Sequence, residues 1–215
     1  MNGPIGILGG TFDPVHIGHL RLAIECLQMA RLDGIKLIPV HTPAHRGPIL
    51  ASPEQRLHML RLAVENVRQL QVDDIEIKRG GISWTIDTVR EYRHQYGNTP
   101  LCLIMGMDAF QGLHQWKQWE LIPEQVHIIV VTRPDTDSGF EHKQIAELYQ
   151  ARQTDNLADI HTTPAGKILK ITIPSLAISS TRIRNLIDAQ ASPEFLLPDQ
   201  VLSYIHKQKL YLKQT

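Results

Sequence analysis

The chain has only two cysteines in 215 residues, and neither has the spacing of a metal site or a disulfide framework. Cys26 lies on a helical pattern and Cys102 inside an apolar run, so both are expected to be buried thiols in a reducing compartment. Net charge is also missing, because 22 Lys and Arg residues offset 22 Asp and Glu. No global field draws polyanions in, which argues against a dedicated nucleic-acid binder and requires any anion site to be local. No apolar run approaches the ~20 residues of a membrane span. The N-terminus runs straight into a strand-like segment, without the basic region, apolar core and cleavage site of a signal peptide. A cytoplasmic protein without membrane contact is therefore expected. Internal repeats and low-complexity tracts are absent too. At 42% hydrophobic and 20% charged residues, the chain reads as ordered and long enough to bury a sizeable core.

What is present is an alternation of apolar runs with helical periodicity. Strands are expected at 5–8, 34–40, 72–78, 101–105, 126–132 and 167–173. A first helix is expected from the recurrence of Leu20, Ala23, Ile24 and Leu27. Further helices are expected at 53–67 with Pro53 near the start, at 83–96 ending on Gly97, from 107 onward, at 180–189 and at 199–210. This pattern implies an α/β fold, a doubly wound and mostly parallel sheet with helices on both faces. It reads as a single domain over 1–215, with a small C-terminal helical part from about 178. Residues 133–139 are turn-rich and 150–166 have no clear period, so 133–166 reads as a variable insertion.

The most informative stretch is Gly9-Gly10-Thr11-Phe12-Asp13-Pro14-Val15-His16-Ile17-Gly18-His19-Leu20. It joins a buried strand to the start of a helix through a glycine turn. Such a turn presents backbone N–H groups beside the positive end of a helix dipole, and the glycines let a bulky anion approach. His16 and His19, three residues apart, can face one point. The stretch is a candidate phosphate cradle flanked by two imidazoles. It lacks the glycine spacing of a dinucleotide fingerprint and the Gly-Lys-Ser/Thr of a Walker loop. A zinc site built on the two histidines lacks a third ligand of matching spacing.

Other polar segments follow the expected strands, where open α/β sheets bind ligands. Thr42-Pro43-Ala44-His45-Arg46 is a loop carrying two donors. Ser83-Trp84-Thr85-Ile86-Asp87-Thr88 opens a helix, and Ser83 or Thr85 reads equally well as its N-cap. Gly106-Met107-Asp108 precedes Trp116, Lys117 and Trp119; Asp108 could cap a helix or accept from ribose hydroxyls, and Trp116 could be core or stack on a cationic ring. Ile178-Ser179-Ser180-Thr181-Arg182-Ile183-Arg184 puts hydroxyls, helix N–H groups and a guanidinium together, a second candidate phosphate site. His58, His94, His127 and His161 have no partner pattern and read as structural or surface residues.

The first stretch resembles the HxGH signature of the nucleotidyltransferase superfamily, and residues 178–184 match its Ile-Ser-Ser-Thr-x-x-Arg segment at every fixed position. The intervening motifs resemble those of bacterial nicotinate mononucleotide adenylyltransferases, with Ala44 in place of a second proline and Trp84 in place of a tyrosine. The resemblance runs from Gly9 to the final helix and is weakest over 133–166. It implies a Rossmann-like sheet and transfer of the adenylyl group of ATP to nicotinate mononucleotide, giving deamido-NAD and pyrophosphate. It also implies ATP binding by Gly9, Gly10, Thr11, Phe12, His16, His19, His45, Arg46, Ser180, Thr181 and Arg184, with His19, His16 and Arg184 catalytic. Thr85, Gly106, Asp108, Trp116 and Lys117 are the implied mononucleotide site. Mg²⁺ would enter on the ATP phosphates, largely through water, so no dedicated ligand set is expected. The rivals are another acceptor on the same fold, nicotinamide mononucleotide or phosphopantetheine, and a non-catalytic nucleotide-binding regulator. A homo-oligomer is compatible with the sequence.

Overall fold

The computed structural model describes residues 3–44, 49–134 and 139–212. Along the chain come β1 (Ile5–Gly10), α1 (Ile17–Met29), β2 (Gly34–Pro39), β3 (Thr42–Pro43), α2 (Pro53–Val64), β4 (Leu70–Val72), α3 (Ile75–Arg79), β5 (Ile82–Ser83), α4 (Thr85–Tyr96), β6 (Leu101–Gly106), α5 (Met107–Gln111), α6 (Ile122–Gln125), β7 (His127–Thr132), α7 (Lys143–Arg152), β8 (Gln153–Thr154), α8 (Leu157–Thr162), β9 (Ile168–Thr172), α9 (Ser180–Asp188) and α10 (Asp199–Gln208). Seven strands form one sheet in the order β4-β2-β1-β6-β7-β9-β8, and every neighbouring pair is parallel. The chain winds outward through β2 and β4 on one side of β1, then returns to β6 on the other. The strand order therefore reverses between β1 and β6, whose ends at Gly10 and Gly106 flank the crevice where such sheets take ligands.

Strands buried on both faces explain the continuous apolar runs. Successive side chains alternate between two cores. Cys102, Ile104, Ile129, Val131, Leu169 and Ile171 point to one, packed with residues of α1, α2, α8, α9 and α10. Leu101, Leu103, Met105, Ile128, Val130 and Ile168 point to the other, packed with α3 to α7. The C-terminal helices thus complete the first core. Both cysteines are buried free thiols, and burial pushes the Cys26 thiol up to about 12.

The expected strand at 72–78 is a correction. Pairing with β2 stops at Val72, and Ile75–Arg79 is a short helix. The aspartates turn the chain: Asp73 Oδ1 accepts from the Ile75 N–H at 3.1 Å and the Asp74 carbonyl from the Lys78 N–H at 2.8 Å. Alternation of Ile75 and Ile77 imitated a strand where the local hydrogen bonding is helical. Ser83 does not cap α4 either. The N-cap is Trp84, without a side-chain hydrogen bond, and the Ser83 hydroxyl accepts from the His41 N–H at 2.9 Å. Within 133–166, the described part holds α7, β8 and α8, and β8 adds an edge strand beside β9. His127 is structural: its Nδ1 accepts from the Lys167 N–H at 3.0 Å, so its Nε2–H donates to the Thr163 carbonyl at 2.7 Å.

Candidate functional site

The turn after β1 is shaped by two close packings. A Cβ on Gly10 would meet the Phe12 ring at 3.0 Å, and one on Gly18 would meet His16 Nδ1 at 3.0 Å. Glycine at these positions lets Phe12 fold back over the strand end and the His16 ring cross the first turn of α1. Phe12 is buried and held at φ 50, a left-handed conformation unusual for a bulky residue. Gly9 and Gly106 face open space. Gly10 therefore serves the Phe12 ring, while Gly9 and Gly106 leave the strand ends bare.

His16 and His19 cap α1 reciprocally. The His19 backbone N–H donates to His16 Nδ1 at 3.4 Å, and the His16 N–H to His19 Nδ1 at 3.3 Å. A nitrogen that accepts carries no proton in a neutral ring, so the neutral form of each imidazole holds its hydrogen at Nε2. The rings stack at 3.7 Å with 22° between planes. His16 is buried, and desolvation pulls it down to about 4, so it is neutral at pH 7. The capping box thus fixes the tautomer and leaves Nε2 as the donor end.

A second capped helix meets this turn. Ser179 caps α9, accepting from the Arg182 N–H at 3.2 Å; the Ser180 hydroxyl donates to the Pro14 carbonyl at 3.0 Å. Arg184 Nη1 donates to the Asp13 carbonyl at 2.7 Å, and Nη2 to the Thr181 hydroxyl at 3.3 Å. Between α1, α9 and the end of β6 lies a cleft of about 820 Å³ lined by Thr11, His16, His19, Gly106, Asp108, Ser180, Thr181 and Arg184 among others. Elements far apart in sequence bring these expected residues together. Asp108 is exposed in the first turn of α5; its carbonyl accepts from the Gly112 N–H at 3.2 Å, and its carboxylate has no hydrogen-bond partner among the described residues. Among those residues, no group of three or more His, Cys, Asp or Glu side chains is placed to hold a metal ion.

Thr85, Trp116 and Lys117 are not in the cleft lining. They gather at the N-terminal end of α4, where Thr85 is the first helical residue and no side chain caps the helix. Lys117 Nζ lies 3.4 Å from Asp87 Oδ2 and 5.4 Å from the Trp84 ring centre, which fastens the turn after Trp116 to α4. Trp84, Trp116 and Met107 pack against the same core, and Met107 also lines the cleft, so the apolar rim runs from one region to the other. His45 and Arg46 lie outside the described residues.

Sequence reasoning missed the scaffold beneath the turn. Arg56 is fully buried in α2, and its guanidinium donates to the carbonyls of Thr11 at 2.9 Å, His41 at 3.0 Å and Ala51 at 3.3 Å. Its signal was an arginine in register with Leu60 and Val64 on the apolar stripe of α2. Asp13 was visible but had no role; its carboxylate accepts from the N–H groups of Leu50 and Ala51 and from the Tyr211 hydroxyl. Arg21 and Arg133 also line the cleft.

A cytidylyltransferase-like family model matches residues 7–186. A protein named probable nicotinate-nucleotide adenylyltransferase from Aeromonas hydrophila is 44% identical over 208 residues, covering 97% of both chains. One of the same name from Hahella chejuensis is 43% identical over 210 residues, covering 97% of this chain and 95% of that one. Among solved structures, a Plasmodium falciparum nicotinic acid mononucleotide adenylyltransferase complexed with NaAD superimposes with a TM-score of 0.72 at 18% identity, covering 97% of each chain. At that identity the superposition speaks for the fold, which is the same Rossmann-like α/β architecture.

Proposed function

The chain belongs to the cytidylyltransferase-like family, among its nicotinate-nucleotide adenylyltransferases, and on that premise we propose that it joins the adenylyl group of ATP to nicotinate mononucleotide. A phosphate oxygen of the mononucleotide, already ionised at neutral pH, attacks the α-phosphorus of ATP. The bond from the α-phosphorus to the bridging oxygen breaks, and pyrophosphate leaves with the electron pair. Deamido-NAD is the other product. The attacking oxygen carries no proton, so no general base is required, and the chemistry reduces to positioning and charge stabilisation. The whole chain acts as one nucleotidyltransferase unit in the cytoplasm. No helix among the described residues is long and apolar enough to cross a membrane.

The observation that carries this reading is the pair of Nδ1-capped histidines facing Arg184 across one cleft. In the proposal, His19 donates Nε2–H to the α-phosphate as charge builds on it. His16, Thr11 and the strand end at Gly9 and Gly10 hold the phosphates, with Phe12 shaping the turn. The N–H groups at Ser180 and Thr181 in the first turn of α9, the Thr181 hydroxyl and Arg184 hold the departing pyrophosphate, the Ser180 hydroxyl being spent on the Pro14 carbonyl. His45 and Arg46 would add donors from the second loop. Mg²⁺ on the phosphates would supply further charge neutralisation. Of the two carboxylates that line the cleft among the described residues, Asp13 is taken up by Leu50, Ala51 and Tyr211 and Asp108 is assigned to the ribose, so phosphate oxygens and water would hold the ion. Asp108 and Gly106 would receive the mononucleotide ribose, Trp116 its ring, and Thr85 with the N–H groups near Lys117 its carboxylate. Steady-state pyrophosphate release that requires both substrates tests the reaction. A chain that binds ATP without releasing pyrophosphate would be a nucleotide-binding regulator instead.

Arg184→Ala is expected to raise KM for ATP and slow turnover together, by about 10–100-fold in kcat/KM, the loss of charge-assisted hydrogen bonds. Arg184→Lys should recover only part, because an ammonium cannot keep the Asp13 and Thr181 contacts while forking onto a phosphate. Kinetics unchanged in both variants would remove Arg184 from the reaction.

Thr85→Val is expected to lower kcat/KM for nicotinate mononucleotide by about tenfold while leaving the amide analogue near its original value. The hydroxyl would make a charge-assisted hydrogen bond to the carboxylate and only a weaker neutral one to the amide. An equal loss for both mononucleotides would take Thr85 out of acceptor selection.

A further inference from the structure

The far end of the chain is bent back under the signature turn. After α10 the backbone takes left-handed conformations at Lys209 (φ 52) and again at Tyr211 (φ 65), both costly for residues with side chains. The result is that the Tyr211 ring enters the first core and its hydroxyl donates to Asp13 Oδ1 at 2.8 Å. The same carboxylate accepts from Ala51 N at 3.2 Å through Oδ1 and from Leu50 N at 2.9 Å through Oδ2. On the backbone side, the Asp13 carbonyl accepts from Arg184 Nη1 at 2.7 Å. Three other segments of the chain, at 50–51, in α9 and at Tyr211, therefore meet on one residue of the phosphate turn. Burial and the Asp13 charge hold the Tyr211 phenol well above its ordinary range, so it remains a donor at any physiological pH.

We propose that Tyr211 is a positioning residue for adenylyl transfer: by fixing Asp13 it sets the place from which Arg184 reaches the phosphates. This rests on the nucleotidyltransferase reading of the cleft. The hydroxyl does not itself touch the ATP site; it acts through Asp13, which is one hydrogen bond from Arg184. A buried carboxylate that loses one of its three donors shifts toward its remaining partners, Leu50 and Ala51, and carries its own backbone carbonyl with it. Arg184 follows the carbonyl. The acceptor end at Thr85 and Trp116 shares no hydrogen bond with this cluster among the described residues, so its affinity is expected to stay.

Tyr211→Phe keeps the ring in the core and removes only the donor. The expected result is an approximately tenfold rise in the ATP dissociation constant by calorimetry and a similar fall in kcat/KM for ATP. KM for the mononucleotide should stay within about twofold. In an Arg184→Ala background, the same substitution should change ATP binding by less than about twofold, because the route through Arg184 is already cut. Unchanged ATP binding in the single variant would overturn the proposal, as would an undiminished tenfold effect in the Arg184→Ala background. So would a parallel loss for both substrates, which marks a general packing defect. The binding arm does not need turnover. If the unsubstituted protein binds ATP but makes no pyrophosphate with nicotinate mononucleotide, the reaction assignment fails while the role of Tyr211 is still decided.

Discussion

His19→Ala is expected to lower kcat by roughly 10²–10³-fold with little change in ATP affinity, the cost of losing a donor aimed at charge that develops in the transition state. The reasoning starts from the first turn of α1. His19 spends Nδ1 on the His16 backbone N–H, so its neutral ring can offer only Nε2–H to the cleft. His16, neutral and stacked on it, adds no competing charge. A donor fixed in this way needs no reorganisation when the α-phosphorus passes through its crowded geometry. The alanine variant also loses half of the capping box, and His19→Gln separates the two effects: glutamine at this position can still reach back to the N-cap N–H. Helix stability should return in His19→Gln, and turnover should not. A variant that kept near-native kcat while KM for ATP rose would make His19 a binding residue and refute the mechanism.

Arg56→Ala is expected to destabilise the fold by about 3–5 kcal/mol, the cost of taking a charged donor away from three carbonyls. Three carbonyls, those of Thr11, His41 and Ala51, would lose their donor; Ala51 is buried, and Thr11 and His41 are half-buried. Asp13 would lose the nearby positive charge that partly offsets its own burial. At this chain length such a loss corresponds to roughly 6–20 °C in Tm. Arg56→Lys should recover little, because an ammonium cannot span three carbonyls set around a planar guanidinium. Thermal melts of the two variants decide the matter; a Tm within about 2 °C of the unsubstituted protein would show that the turn does not depend on Arg56.

The parts of the molecule legible in the sequence are those written in local pattern. The apolar runs at 101–105 and 126–132, short and bounded by turn residues or helical patterns, read as strands buried on both faces, and the strands are found at Leu101–Gly106 and His127–Thr132. The spacing of His16 and His19 put both rings at one point, and they stack; Arg184, three residues after Thr181, shares its helix face and meets it at 3.3 Å, whereas the reciprocal capping of α1 by the two histidines was not read from the sequence. What escaped was carried by partners distant in sequence or by backbone atoms. Arg56 binds carbonyls, which no residue pattern records, and Tyr211 reaches Asp13 across 198 positions. The reverse failure occurred at 75–79, where a two-residue alternation was real but two aspartates had already turned the chain into a helix.

The most direct test of the whole account is kcat/KM for pyrophosphate release from ATP with nicotinate mononucleotide, nicotinamide mononucleotide and phosphopantetheine as acceptors under identical conditions. A site whose donors converge on a carboxylate predicts the nicotinate form ahead of the amide by roughly 10²-fold, with no turnover of phosphopantetheine. Equal rates for the two mononucleotides, a preference for the amide, or no pyrophosphate with any acceptor would contradict it.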